Sequence, residues 1–163
     1  MIKFLAIILL VILDQISKYA AVANLKTINA THPFIEGLLQ FRYIHNTGAS
    51  FGILQGKQTF LIIVTTITLL LLLVVIYRNI FKSTTEQIAL ILIAAGGIGN
   101  LIDRVINGYV VDFLDFQFID FPVFNVADSF VCIGFSLFIL YYIIEEIKNK
   151  KLKKNKENNN ENV

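Results

Sequence analysis

The chain has 163 residues, of which 56% are hydrophobic and only 16% charged, with a mean hydropathy of +0.69. A soluble domain of this size keeps about a quarter of its residues charged, so a soluble enzyme, a disordered segment and a nucleic-acid module all fit poorly. The formal net charge of +2 comes mostly from a lysine-rich tail rather than a basic groove, and a single cysteine, Cys132, excludes an internal disulfide or a multi-thiolate zinc site.

In chain order, the first apolar stretch covers residues 4–23 and is interrupted by Asp14 and Lys18. Lys3, the apolar run 4–13 and Ala21-Val22-Ala23 also fit a cleavable secretory signal. Asp14, Gln15, Ser17 and Lys18 would make an unusually polar link to the cleavage site, so a retained span is the better reading. The next segment, 24–58, carries Leu39-Gln40-Phe41-Arg42-Tyr43-Ile44, which alternates as a half-buried strand does. Asn46-Thr47-Gly48 then reads as a turn.

A second span is expected over 59–78. Its uncharged run 60–77 covers roughly 27 Å at 1.5 Å per residue, close to the hydrocarbon thickness. A third span is expected over 87–106 and ends in Asp103 and Arg104. The segment 107–127 holds Asp112, Asp115 and Asp120. A fourth span is expected over 128–147, opening at Asp128, and a Lys/Asn-rich tail over 149–163 is expected to be disordered. The expected architecture is therefore a single α-helical membrane domain over residues 1–148. It has four transmembrane helices, a small extracytoplasmic β platform and a short outer helix.

Four spans put both termini on one side. Lys3, Arg78, Lys82 and the tail lysines share that side, whereas Lys26, Arg42 and Lys57 lie opposite, so the Lys/Arg bias makes the termini cytoplasmic. With that topology, Asp14, Lys18, Asn46, Asn100, Asp103, Arg104, Asp112 and Asp128 all fall in or just above the outer half of the membrane. Charge at the bilayer centre costs about 2.5–3.5 kcal/mol even on a lenient scale, so this clustering marks either a functional site or a polar clamp. Asp14 and Lys18 are four apart and can neutralise each other. Asn100, Asp103 and Arg104 share a face with Gly96 and Gly97, where a helix or a substrate backbone could approach closely.

Two carboxylates sharing one proton can activate water and protonate a leaving amine. Asp112 and Asp128 each abut a helix end and suit that role. Asp115 and Asp120 read as turn-forming or solvated, and Cys132, without a nearby histidine, as packing. The residues alone reach an outer-leaflet carboxylate pair, which suits proteolysis but also a small proton- or cation-coupled transport protein. No metal and no other cofactor is expected.

Five blocks carry a resemblance. They are Asp14-Gln15-Ile16-Ser17-Lys18, Asn46-Thr47-Gly48-Ala49-Ser50-Phe51, Gly96 through Gly99-Asn100-Leu101-Ile102-Asp103-Arg104, Gly108-Tyr109-Val110-Val111-Asp112-Phe113 and Phe124-Asn125-Val126-Ala127-Asp128. In that order they resemble the blocks of the bacterial lipoprotein signal peptidase (signal peptidase II) family of intramembrane aspartyl proteases. Ser50 stands where the family commonly has alanine. The resemblance implies Asp112 and Asp128 as the catalytic pair. It implies Asn46, Gly48, Asn100, Arg104, Asn125 and Ala127 as substrate-binding, and Asp14, Lys18 and Asp103 as supporting, with Lys18 also able to approach the substrate. It further implies a lipidated prolipoprotein signal peptide as partner, cleaved just before the diacylglyceryl-modified cysteine. Four spans can suffice alone, so a monomer surrounded by membrane lipid is expected.

Overall fold

A computed structural model describes residues 1–25, 27, 29, 31–49 and 53–160, with side chains up to 153. Ser50, Phe51 and Lys26, which entered the sequence reading, lie outside the described residues. Four helices, α1 (Ile2–Leu25), α2 (Gln58–Tyr77), α3 (Thr84–Asn107) and α4 (Val126–Asn160), accompany three strands, β1 (Thr31–Ile35), β2 (Leu39–Asn46) and β3 (Val110–Phe116). All four helices are long and apolar enough to cross a membrane. Their outward faces carry exposed side chains such as Ile8, Ile12, Ile67, Leu71, Phe135 and Ile139, a surface suited to hydrocarbon and not to water.

Helix α3 is the centre of the bundle and packs against α1, α2 and α4. Its glycines permit this. A Cβ on Gly96 would collide with the carbonyl oxygen of Ala127 on α4 and reach 2.7 Å from Val131 Cγ2. Gly134 of α4 meets Ala89 of α3 in the same way, 2.7 Å from its carbonyl. Without a hydrophobic effect to drive association in lipid, such close backbone approach is what holds helices together. Gly97 faces Leu69 of α2, so these small residues receive helices. Farther down the bundle, Ile7, Ile76, Leu90, Ala94 and Ala95 form an apolar core.

The strands form one antiparallel sheet in the order β1-β2-β3. The strand expected at 39–44 is β2, two residues longer. Edge strand β1 contains Pro33, tolerated there because one side of an edge strand is unpaired. Strand β3 is buried on both faces for most of its length, so its sequence lacks the alternation that reveals a one-sided strand. Ala21 and Leu25 at the end of α1 pack with Tyr43, Val111 and Phe113, which fixes the sheet to the bundle. Gly108, at φ 77°, ends α3 in the left-handed conformation, and its N–H bonds to the Arg104 carbonyl at 3.1 Å. That turn sends the chain directly into β3.

Three expectations need amendment. No short outer helix occurs among the described residues, and residues 53–56 form turns instead. Helix α4 continues to Asn160, through the stretch from 149 expected to be disordered. Cys132 is exposed on α4 and does not pack within the bundle.

Candidate active site

At the sheet end of the bundle a buried charge cluster joins three helices. Lys18 Nζ lies 3.0 Å from Asp14 Oδ2 and 3.1 Å from Asp103 Oδ2, and donates to Asn100 Oδ1 at 2.8 Å. Its three ammonium protons therefore have three partners inside the protein, and Lys18 is only 3% exposed. Asp14 Oδ1 accepts the backbone N–H of Ala127 at 2.9 Å, at the start of α4. Asp103 Oδ2 accepts the N–H of Val111 at 3.0 Å, which holds β3 beside α3. Asp14 and Asp103 thus each receive one backbone donor besides the shared ammonium, as buried charges require. A Cβ on Gly99 would collide with Asp14, so this position admits the carboxylate only because it is glycine.

Above this cluster the two candidate carboxylates meet through amides. Asn125 Nδ2 donates to Asp112 Oδ1 at 2.7 Å and to Asn100 Oδ1 at 3.2 Å. The Asn125 backbone N–H donates to Asp128 Oδ2 at 3.2 Å, and its Oδ1 accepts the Asp128 N–H at 2.8 Å. Asn100 Nδ2 donates to Asp128 Oδ1 at 2.7 Å, and Asn46 Nδ2 donates to Asp112 Oδ2 at 2.8 Å. Every one of the four carboxylate oxygens has a donor. Asp112 is fully enclosed, whereas Asp128 is half-buried and forms the accessible side of the pair.

Burial pushes the Asp112 carboxyl up to about 7, and the neighbouring Asp128 charge adds to the rise. The amides of Asn46 and Asn125 and the more distant Lys18 oppose it. Near neutrality this carboxyl therefore carries a proton part of the time. A carboxyl that holds a proton part of the time, beside a second carboxyl, can serve general acid and general base chemistry.

Gly48 and Arg104 form the rim. Asn46 Oδ1 accepts the Gly48 N–H at 2.9 Å, closing the expected turn, and the Gly48 carbonyl accepts from an Arg104 terminal nitrogen at 2.9 Å. Arg104 Nε is buried without a partner among the described residues, a donor left for something else. Ala127 is fully buried beneath Gly96, with its N–H on Asp14. All eleven residues singled out from the sequence converge on this one network.

Other expectations shift. Asp115, read as turn-forming or solvated, is buried in β3, accepts from Gln40 at 2.7 Å and lies 4.0 Å from Arg42. Asp120 is exposed. Gln15 escaped the sequence reading as a site residue, yet its Nε2 lies 3.1 Å from Asp14, 3.2 Å from the Gly99 carbonyl and 3.1 Å from Asp103. An amide beside an aspartate within an apolar span was the available signal. Among the described residues no three His, Cys, Asp or Glu side chains converge as a metal site would require.

A family model described as signal peptidase (SPase) II matches residues 6–144. A lipoprotein signal peptidase of Enterococcus faecalis is 41% identical over 143 residues, 88% of this chain and 88% of that protein. A lipoprotein signal peptidase of Streptococcus pyogenes serotype M5 is 39% identical over 142 residues, 87% of this chain and 93% of that one. A solved bacterial membrane enzyme structure, obtained by the in meso method at 2.3 Å, matches with a TM-score of 0.81 at 38% identity, covering 91% of this chain and 90% of that chain. A second, at 1.9 Å, matches with a TM-score of 0.77 at 39% identity over 86% of this chain and 91% of that chain. Because the matched span takes in the helical bundle, the sheet and every residue of the carboxylate network, this multi-pass membrane protein belongs to the signal peptidase II family.

Proposed function

We propose that the protein is an aspartyl endopeptidase that removes the signal peptide from diacylglyceryl-modified prolipoproteins by cleaving just before the lipidated cysteine. The observation that carries the reading is the single residue Asn125, which bonds to both Asp112 and Asp128 and so ties two carboxylates 16 positions apart into one unit.

In this reading a water between the two carboxyls loses a proton to the ionised one as its oxygen attacks the scissile carbonyl. The protonated carboxyl then gives its proton to the departing amide nitrogen as the C–N bond breaks. The two groups end with their protonation states exchanged, and a proton transfer between them restores the start. Arg104, with its unpartnered Nε, and the Gly48 loop hold the unwound substrate backbone. Both Nδ2 protons of Asn125 are already engaged, so it acts on the carboxylates, as does Asn100 through its bond to Asp128. Asp14, Lys18, Asp103 and Gln15 act only as support.

The Lys/Arg distribution puts both termini in the cytoplasm and the dyad at the outer leaflet. There the substrate's acyl chains, remaining in lipid, would set the depth of the scissile bond. One chain supplies every residue of the site, which supports a monomer. The small proton- or cation-coupled transporter is not favoured, because the matched family is one of peptidases.

The test is incubation of purified protein with a lipidated and an unlipidated precursor, following the products by mass spectrometry. Cleavage of the lipidated form just before the modified cysteine is expected, undiminished by a chelator. Asp112→Asn and Asp128→Asn should each lower kcat by about three orders of magnitude or more. Near-normal turnover by either folded variant would remove the dyad.

A further inference from the structure

On the reverse face of the sheet, away from the carboxylates, lies an aromatic group for which the reaction above has no use. Tyr43 and His45 are two apart in β2 and so share a face. The Tyr43 hydroxyl oxygen is 2.6 Å from His45 Nε2. The imidazole stacks on Tyr109 with ring centroids 3.7 Å apart and planes 18° from parallel, and it meets Tyr43 edge-on at 5.1 Å. Tyr109 sits at the junction between α3 and β3, immediately after the Gly108 turn. Tyr43 and Tyr109 belong to the same cluster as Ala21, Leu25, Val111 and Phe113, so this stack is pressed against the end of α1.

The opposite face carries the chemistry. Ile44 pairs with Asp112, His45 with Val111 and Asn46 with Val110. Asn46, next in sequence to His45, therefore points to the front, where its amide holds Asp112 at 2.8 Å. A β-bulge between Phe41 and Ile44 interrupts the register just before this point, and the ladder resumes over only the last three residues of β2.

We propose that His45 is a positioning residue for the reaction: by accepting the Tyr43 hydroxyl and stacking on Tyr109, it locks the end of β2 so that Asn46 stays on Asp112. The inference rests on Asp112 belonging to the dyad. The protonation states agree with the geometry. Burial lowers the His45 imidazole below its ordinary 6.5, which favours the neutral ring; in its Nδ1–H tautomer the Nε2 lone pair accepts the Tyr43 hydroxyl. Burial pushes the Tyr43 hydroxyl up to about 12, and its side-chain hydrogen bond with Tyr109 adds to the rise, so the hydroxyl stays protonated near neutrality. The titratable groups in contact with the ring are Tyr43 and Tyr109, and Ala21 and Leu25 of α1 and Val126 of α4 pack in the same apolar cluster as the two tyrosines.

The chain has two histidines, so His32→Gln leaves His45 as a single reporter for proton NMR of the full chain in micelles. Its titration midpoint should lie below 6.5 and move upward in Tyr43→Phe, because a hydrogen bond to the neutral form is lost. An unmoved midpoint would overturn the bond. In turnover of the lipidated precursor, Tyr43→Phe and His45→Phe should each lower kcat about tenfold to a hundredfold, with KM changed by less than about twofold. The double variant should lose no more than either single one. His45→Gln, which retains an acceptor, should recover most of the rate. Additive losses, a loss confined to KM, or full activity of both single variants would each overturn the role. A wild-type protein that cleaves no precursor would instead overturn the functional reading, and that failure is visible before any variant is made.

Discussion

The side-chain amide of Asn125 donates to Asp112 at 2.7 Å from the residue that immediately precedes α4, while its backbone N–H reaches Asp128 three residues on. One residue at one helix start therefore sets the relative position of two acids from different elements. Asn125→Ala should lower kcat roughly a hundredfold through misplacement alone. It should also move the alkaline limb of kcat/KM to higher pH, since the lost amide bond is one of the contacts that hold the Asp112 carboxyl down. A lower rate with an unmoved limb would show that Asn125 does not act on Asp112.

The raised Asp112 carboxyl makes stability depend on pH in a definite direction. Its value of about 7 in the folded protein, against an ordinary 3.8, means that the folded state holds this proton more tightly than the unfolded chain does. The resulting stabilisation is complete below about 4 and is lost as pH rises through about 7. Asp112→Asn removes the dependence, so the Tm of the variant minus that of wild type should increase between pH 4 and 8. A difference that is flat with pH would contradict the shift. The same group should make kcat/KM fall above about 7, where the shared proton is lost.

Lys18 is the only described cation within the Asp14 and Asp103 cluster, and those carboxylates are 0% and 2% exposed. Lys18→Ala would strand both, at a cost of about 3–5 kcal/mol. The variant is expected to lose most of its Tm in detergent or to fail to accumulate. A neutral triple, Lys18→Met with Asp14→Asn and Asp103→Asn, should recover much of the loss. A Lys18→Ala protein as stable as wild type would show that the cluster is not a clamp.

Two glycine contacts between α3 and α4 separate stability from turnover. Gly96→Ala drives a methyl into the carbonyl of Ala127, the residue before Asp128, so both Tm and kcat should fall. Gly134→Ala drives one into the carbonyl of Ala89, farther from the site, so Tm should fall with kcat largely retained. Circular-dichroism melts and the precursor assay on the same preparations read both quantities. Equal losses of kcat in the two variants would mean that general bundle packing, and not the placement of Asp128, governs the rate.

Some of this was legible from the residues in order. Hydropathy alone locates four helices, because a span must be apolar for its whole length wherever it packs. A charge or an amide inside such a span is conspicuous for the same reason, so Asp14, Lys18, Asn100, Asp103 and Arg104 declare themselves before any fold is known. The alternation of 39–44 reveals β2 because one of its faces differs from the other. Strand β3 gives no such signal, since both its faces are covered, and Asp115 looks solvated until Gln40 is found beside it.

What only the tertiary structure decided is who meets whom. Asp14 accepts the N–H of Ala127 from 113 positions away, and the Lys18 ammonium finds three partners on three different side chains. Local patterning reports the environment each residue prefers, apolar or polar, because that preference is a property of the side chain. Hydrogen-bond partners are chosen by how glycine-lined helices and a bulged sheet close against one another, and that choice belongs to the folded chain as a whole.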